Sequence, residues 1–199
     1  VPIMCNPVTK EGVTDKQGKF AGVWPANETF LTKMRAKNAV IGVSIDPLTA
    51  HECGNSRYMA ITWLDSCLSL RLPEKTGGKL KSMPKNDVYL AGFLDKKAVP
   101  ESEYSGDKSK ASWIHSKAIA KSWEYFVKDT AIPDETAPPA PSDIEINGDT
   151  ITWTSEADLE SGVAYFIIER DGKFLAKVEG PKNRFGRQLF QGLQYSDTP

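Results

Sequence analysis

The chain has 199 residues, enough for one medium domain or two small ones. With 40% hydrophobic and 26% charged residues its composition is globular, and a formal net charge of -1 lacks the basic excess of a nucleic-acid binder. No apolar run approaches the ~18 residues that span a bilayer, so no membrane span is expected.

The chain opens on "VPIMC", which reads as a short buried strand. Its first residue is not Met, and the expectation is a processed chain or a piece of a longer protein. "NPVTKEGVTDKQGKFAG" reads as a loop. "ANETFLTKMRAK" carries Phe30, Leu31 and Met34 at helical spacing, with Asn27 as the expected N-cap and Asn38 as the left-handed end. "AVIGVSI" (39–45) is a continuous, largely β-branched run, the pattern of a strand buried on both faces of a parallel sheet. "DPLTAHECGN" is a loop punctuated by Pro47 and Gly54. Ser56 to Leu72 predicts a helix, with Met59, Trp63, Cys67 and Leu70 on one stripe and Ala60, Leu64 and Leu68 beside it, stopped by Pro73.

Residues 1–72 therefore read strand, loop, helix, strand, loop, helix, the closing part of a doubly wound α/β sheet. Residues 73–100 are basic and irregular, with "DVYLAGFL" as a short strand or packing segment. Ser116 to Asp129 predicts a second amphipathic helix with Ile119, Trp123, Phe126 and Val127 on its apolar side. "AIPDETAPPAPSD" reads as a stiff linker. The expected division is 1–130, a linker 131–142, and 143–199.

After the linker the period changes to two. "SDIEING" and "TITWTSE" alternate around Asn147-Gly148-Asp149, and "VAYFIIERDGKFLAKVE" is a hairpin turning at Asp171-Gly172. "RQLFQGLQYSDTP" predicts one more strand. "PPAPSDIEI", Trp153, "YFIIERDGKFLAKV" and "YSDT" resemble a fibronectin type III domain over residues ~137–199. That resemblance implies a small all-β sandwich module, here incomplete, since two further strands would normally follow.

Three cysteines, Cys5, Cys53 and Cys67, match no zinc spacing, and neither a metal nor a cofactor is expected. Cys5 and Cys67 read as small buried residues; Cys53, two positions after His51, is a conceivable nucleophile. His51 is one of only two histidines. Groups just past the carboxyl ends of parallel strands are where α/β sheets place their chemistry. His51 follows one such strand, and Glu11 is the first acid candidate after the other.

"PIMCNPVTKEG" followed by "VIGVSIDPLTAHECGNSRYMAI" resembles the penultimate strand with its acid turn, then the last strand, histidine loop and final helix, of the α/β-hydrolase family. The resemblance covers residues ~1–72, and implies that Glu11 and His51 are the acid and the base of a catalytic triad. "HECGNSRYMAITWLDSCL" resembles a subgroup of secreted bacterial hydrolases with a trailing fibronectin-like module, which implies a secreted or periplasmic setting. The family's Gly-x-Ser-x-Gly elbow is absent; "GVSID" at Gly42 lies inside the strand before the histidine, so Ser44 is rejected as nucleophile.

The expected function is thus a hydrolase portion that supplies acid and histidine for ester, amide or acyl hydrolysis. Its nucleophile would come from the missing N-terminal portion or a partner chain, and its substrate would be a small molecule or polymer. Asp46 is a second acid candidate, with turn chemistry as its alternative, and Glu52 reads as a loop-ordering carboxylate. His115 reads as structural or solvent-facing. Trp24, Trp63, Trp113 and Trp123 are core or a sugar-stacking platform, and Lys75 to Lys85 a solvated loop. The alternative from another class is a non-catalytic interaction fragment with a fibronectin-like adhesion or spacer module.

Overall fold

The computed structural model describes residues 1–51, 55–182 and 193–198. The chain divides into two compact units, Val1–Pro133 and Asp134–Pro199. The division falls inside the proline-rich stretch 131–142.

The first unit begins with β1 (Ile3–Cys5), then α1 (Val23–Arg35), β2 (Ile41–Val43) and α2 (Ser56–Arg71). β1 and β2 pair in parallel, Ile3 opposite Ile41 and Cys5 opposite Val43. Backbone bonds continue beyond both strands: Ser44 N–H donates to Cys5 O at 2.9 Å, Asp46 N–H to Pro7 O at 2.9 Å, and Thr9 N–H to Asp46 O at 3.1 Å. Pro7 has no N–H to give, which interrupts the ladder without parting the chains. Strand, helix and parallel strand make one βαβ unit. It is the building block of the sheet that the resemblance implies, and does not by itself make up that sheet.

The first helix starts five residues earlier than Asn27 as N-cap would place it. Gly22 is the N-cap, and Pro25 lies in the first turn, where a missing N–H has no intrahelical partner to lose. Trp24 is buried on this added turn, and burial of its large ring extends the helix beyond the sequence's capping signal. Asn27 lies inside the helix, its side-chain amide donating to Val23 O at 3.1 Å. Asn38 does end the element, at φ 58°. Trp24, Leu31, Ile41, Val43, Ile45 and Phe93 form one cluster of this unit's core, which also buries Met59, Leu90, Ile114, Trp123 and Phe126.

α2 runs as its periodicity predicts, but only Met59, Trp63 and Cys67 of the named residues are buried. Leu64 is 58% exposed and Leu68 44%. Three antiparallel strands follow: β3 (Tyr89–Gly92), β4 (Val99–Pro100) and β5 (Ala111–Ile114), in the order β4-β3-β5. β5 was invisible in the sequence because Ser112 interrupts its short apolar run. Ser112 is buried and replaces a strand pairing: its hydroxyl accepts from Val43 N–H at 2.7 Å and donates to Val43 O at 3.1 Å, which joins β5 to the edge of β2. α3 (Lys117–Asp129) is capped by Ser116, whose hydroxyl accepts from Ile119 N–H at 3.2 Å. Trp123 of α3 donates its indole N–H to Val43 O at 2.6 Å.

The second unit contains β6 (Ser142–Asn147), β7 (Thr150–Ser155), β8 (Tyr165–Arg170), β9 (Lys173–Glu179) and β10 (Leu193–Asp197). They form a sheet β10-β7-β6 and a separate hairpin β8-β9. Asp171 and Gly172 both have positive φ, 51° and 71°, as a two-residue turn between right-twisted strands requires. Trp153 is buried between Phe166 (centroids 5.3 Å) and Tyr195 (5.7 Å, nearly parallel), which ties the sheet to the hairpin. Of the strand expected over 187–199, residues 187–192 and 199 lie outside the described residues.

Candidate functional site

The parallel pair β1–β2 brings two loops to the same end of the sheet. The first is a tight turn over Thr9–Val13. Val8 bridges to Asp46, Glu11 N–H donates to Val8 O at 3.2 Å, and Thr14 N–H to Thr9 O at 2.8 Å. Gly12 has φ 106°, and a Cβ there would lie 2.2 Å from Ala21 O. Only glycine permits this approach, and the turn it makes directs the buried Glu11 side chain along the sheet end.

The second loop follows β2 and carries His51. Asp46, at its start, is buried and spends its carboxylate on the loop backbone. Oδ1 accepts from Leu48 N–H at 2.8 Å and Thr49 N–H at 3.1 Å, and Oδ2 accepts from Asn55 N–H at 3.2 Å. The same side chain thus fastens both ends of the loop. Thr9 adds a bond from its hydroxyl to Pro47 O at 3.2 Å.

These two loops bring Glu11 and His51 together. His51 Nδ1 is hydrogen-bonded to Glu11 Oε1. The carboxylate is the buried partner, its side chain 10% exposed, while the His51 side chain is 55% exposed. Among the described residues Nε2 of His51 has no hydrogen-bond partner. Phe20 lies flat on the imidazole, centroids 3.8 Å apart and planes within 16°. Sequence reading passed over Phe20; its signal was a single aromatic in an otherwise polar, Gly- and Lys-rich loop.

Such an arrangement sets the tautomer. A buried carboxylate acceptor places the ring proton on Nδ1, which leaves the Nε2 lone pair facing outward to accept a proton. When Nε2 is protonated, Glu11 offsets the charge that develops on the ring. Asp46, the second acid candidate, has both carboxylate oxygens committed to backbone N–H groups of its own loop.

The other sequence-selected residues lie apart from this pair. Ser44 is buried, and its hydroxyl accepts from Asn6 Nδ2. Glu52 and Cys53 lie outside the described residues. Cys5 is half-buried and Cys67 buried, and desolvation raises the pKa of both thiols. His115 is buried between Trp63 and Trp113, with Nε2 2.8 Å from Ser66 Oγ and, among the described residues, no hydrogen-bond partner for Nδ1. Burial pushes its pKa down to about 4. Trp24, Trp63, Trp113 and Trp123 are all buried in the core, which leaves none of them as an open stacking surface.

Among the described residues no group of three or more His, Cys, Asp or Glu side chains is placed to hold a metal ion, and no helix is long and apolar enough to cross a membrane. Comparison with protein-family models, with curated proteins and with solved structures found no match to this chain.

Proposed function

We propose that Glu11 and His51 are the acid and the general base of a hydrolytic site acting on an ester, amide or acyl bond. One observation carries the reading: His51 Nδ1 is engaged by a buried carboxylate while Nε2 has no hydrogen-bond partner among the described residues. A histidine whose task is to pin its loop has little to do here, because Asp46 already fastens that loop at three backbone N–H groups.

In the proposed reaction Nε2 takes the proton of a hydroxyl or thiol nucleophile as it attacks the carbonyl carbon. The same nitrogen then returns that proton to the leaving group. Glu11 keeps the imidazole in the required tautomer and stabilises the imidazolium. The nucleophile and the oxyanion-stabilising groups are supplied by another part of the same protein or by a partner chain. A secreted or periplasmic setting accompanies the reading through the resemblance alone.

The test is hydrolysis by the complete product of the reading frame that encodes this chain, on a panel of activated esters, thioesters and anilides. His51→Asn is expected to lower kcat at least about a thousandfold, and Glu11→Gln by a comparable factor with the fold retained. Glu11→Gln substitutes a carboxamide of the same shape, so what it removes is the charge and the tautomer control. Absence of turnover on every member of the panel, or turnover unaffected by His51→Asn, defeats the proposal.

A second reading, a non-catalytic interaction module, is favoured by the strands of the second unit. Ile144 and Ile146 of β6, Ile167 of β8 and Phe174 of β9 expose apolar side chains. It predicts self-association or partner binding that survives His51→Asn and is abolished by polar substitution at Ile146 and Phe174.

A further inference from the structure

We propose that Phe20 is a positioning residue for His51, and that residues 11–21 form a single clamp holding the imidazole at one edge by a carboxylate and at one face by an aromatic ring. The inference rests on the reading of His51 as a base.

A hydrogen bond at Nδ1 fixes one edge of an imidazole but leaves the ring free to swing about the line joining Nδ1 to Oε1. The His51 side chain is 55% exposed, so on its solvent side only its own χ1 and χ2 torsions limit that swing. The Nε2 lone pair lies in the ring plane, so swinging the ring swings the lone pair away from any nucleophile. The stack with Phe20, at 3.8 Å and 16°, removes this freedom, because the imidazole cannot rotate out of plane without losing or striking the phenyl face. Bond and stack together define the plane and the direction of Nε2.

The two constraints are built from one segment. Gly12, next to Glu11, approaches the Ala21 carbonyl, next to Phe20, too closely for any side chain. Lys16 Nζ donates to Gly12 O at 2.5 Å. Asp15 Oδ1 accepts from Gln17 N–H at 3.1 Å and Gly18 N–H at 2.9 Å, and Ala21 N–H donates to Gly18 O at 3.0 Å. Val23 N–H donates to Phe20 O at 3.0 Å, tying the ring-bearing residue to the start of α1. The distance from carboxylate to aromatic ring is therefore set within eleven residues, independently of the histidine loop.

The stack also acts differentially. A phenyl face is the negative region of its quadrupole, and it attracts an imidazolium more than a neutral imidazole. The interaction strengthens as Nε2 takes its proton, which favours the transition state over the ground state. Lys19 Nζ also lies near this ring, 5.3 Å from the Phe20 centroid.

The experiment reads the imidazole directly by NMR on the 199-residue chain, in native form and as Phe20→Trp, Phe20→Leu and Phe20→Ala. In the native chain the carbon-bound His51 ring protons are expected to be shifted upfield by the Phe20 ring current and to show cross-peaks to the Phe20 ring. Nitrogen shifts should report a single Nδ1–H tautomer. Phe20→Leu is expected to abolish the upfield shift and to speed exchange of the Nδ1 proton about threefold to tenfold, the worth of one aromatic pair. Phe20→Trp should restore both. In the complete protein Phe20→Ala should lower kcat by a similar factor with KM little changed.

Native ring protons without the upfield shift or the cross-peaks overturn the proposal, whether or not any variant folds. So does a Phe20→Leu chain whose His51 tautomer and exchange equal the native ones. A native His51 signature as expected, in a complete protein with no hydrolase activity, would instead defeat the hydrolase reading and leave the clamp standing.

Discussion

Asp46→Ala tests how the histidine loop is held. The carboxylate accepts three backbone N–H groups, from Leu48, Thr49 and Asn55, at 2.8, 3.1 and 3.2 Å. Leu48 is exposed and its N–H turns to water when the carboxylate is removed. Thr49 and Asn55 are buried, so two N–H groups are left without an acceptor, at about 1–3 kcal/mol each. Removal of a buried carboxylate also relieves its own desolvation, which offsets part of that cost. The net expectation is a loss of about 2–4 kcal/mol, a large share of the roughly 5–15 kcal/mol that holds a domain together. Asp46→Asn keeps one acceptor oxygen and should lose about half as much.

The assay is native-state hydrogen exchange, which reads the first unit without mixing it with the second. A loss of about 3 kcal/mol corresponds to roughly a hundredfold faster exchange of the Thr49 and Asn55 amides. Because this loop carries His51, the Nδ1–H signature of the Glu11 pair should weaken in the same variant. Exchange at both amides within a factor of about three of native would refute the reasoning, since water or a neighbouring group would then be satisfying the loop.

Two further substitutions probe the site and the core. Gly12→Ala places a methyl 2.2 Å from Ala21 O at a φ of 106°, so the backbone must move; the expectation is a melting temperature lower by several degrees and displacement of Glu11 from His51. A melting curve and a His51 tautomer both equal to native would contradict it. His115 is buried and neutral, with a pKa lowered from 6.5 to about 4. Between those values the unfolded chain binds a proton that the native chain refuses, so stability is intact above pH 6.5 and falls as pH drops toward 4. The shift is worth about 3 kcal/mol at most, at 1.36 kcal/mol per pKa unit. Denaturation of native and His115→Gln chains across this range should show the native advantage shrinking on acidification; an advantage independent of pH would rule the assignment out.

The site was partly legible in the sequence. Glu11 and His51 were selectable because each follows an apolar run and precedes a helix, and the structure places them on one hydrogen bond. Asp46 was readable only as an ambiguous carboxylate before proline; that it serves the loop backbone depends on N–H groups up to nine residues away. Phe20 was missed because a stacked pair 31 positions apart leaves no mark on local periodicity.

Local sequence was enough to specify which segments are helical, where the chain changes from a helical to an alternating period, and where its turns take glycine, asparagine or aspartate. These follow from spacing and backbone preference, which act over a few residues. The tertiary structure alone decided the start of α1, the strand containing Ser112, the exposure of Leu64 and Leu68, and the meeting of Glu11, Phe20 and His51. Each of these depends on what lies opposite. A buried tryptophan lengthens a helix, a serine hydroxyl stands in for a strand edge, and a glycine against a distant carbonyl sets where a carboxylate points. Apolar periodicity says that a face will be covered; the partner that covers it is chosen by packing across the fold.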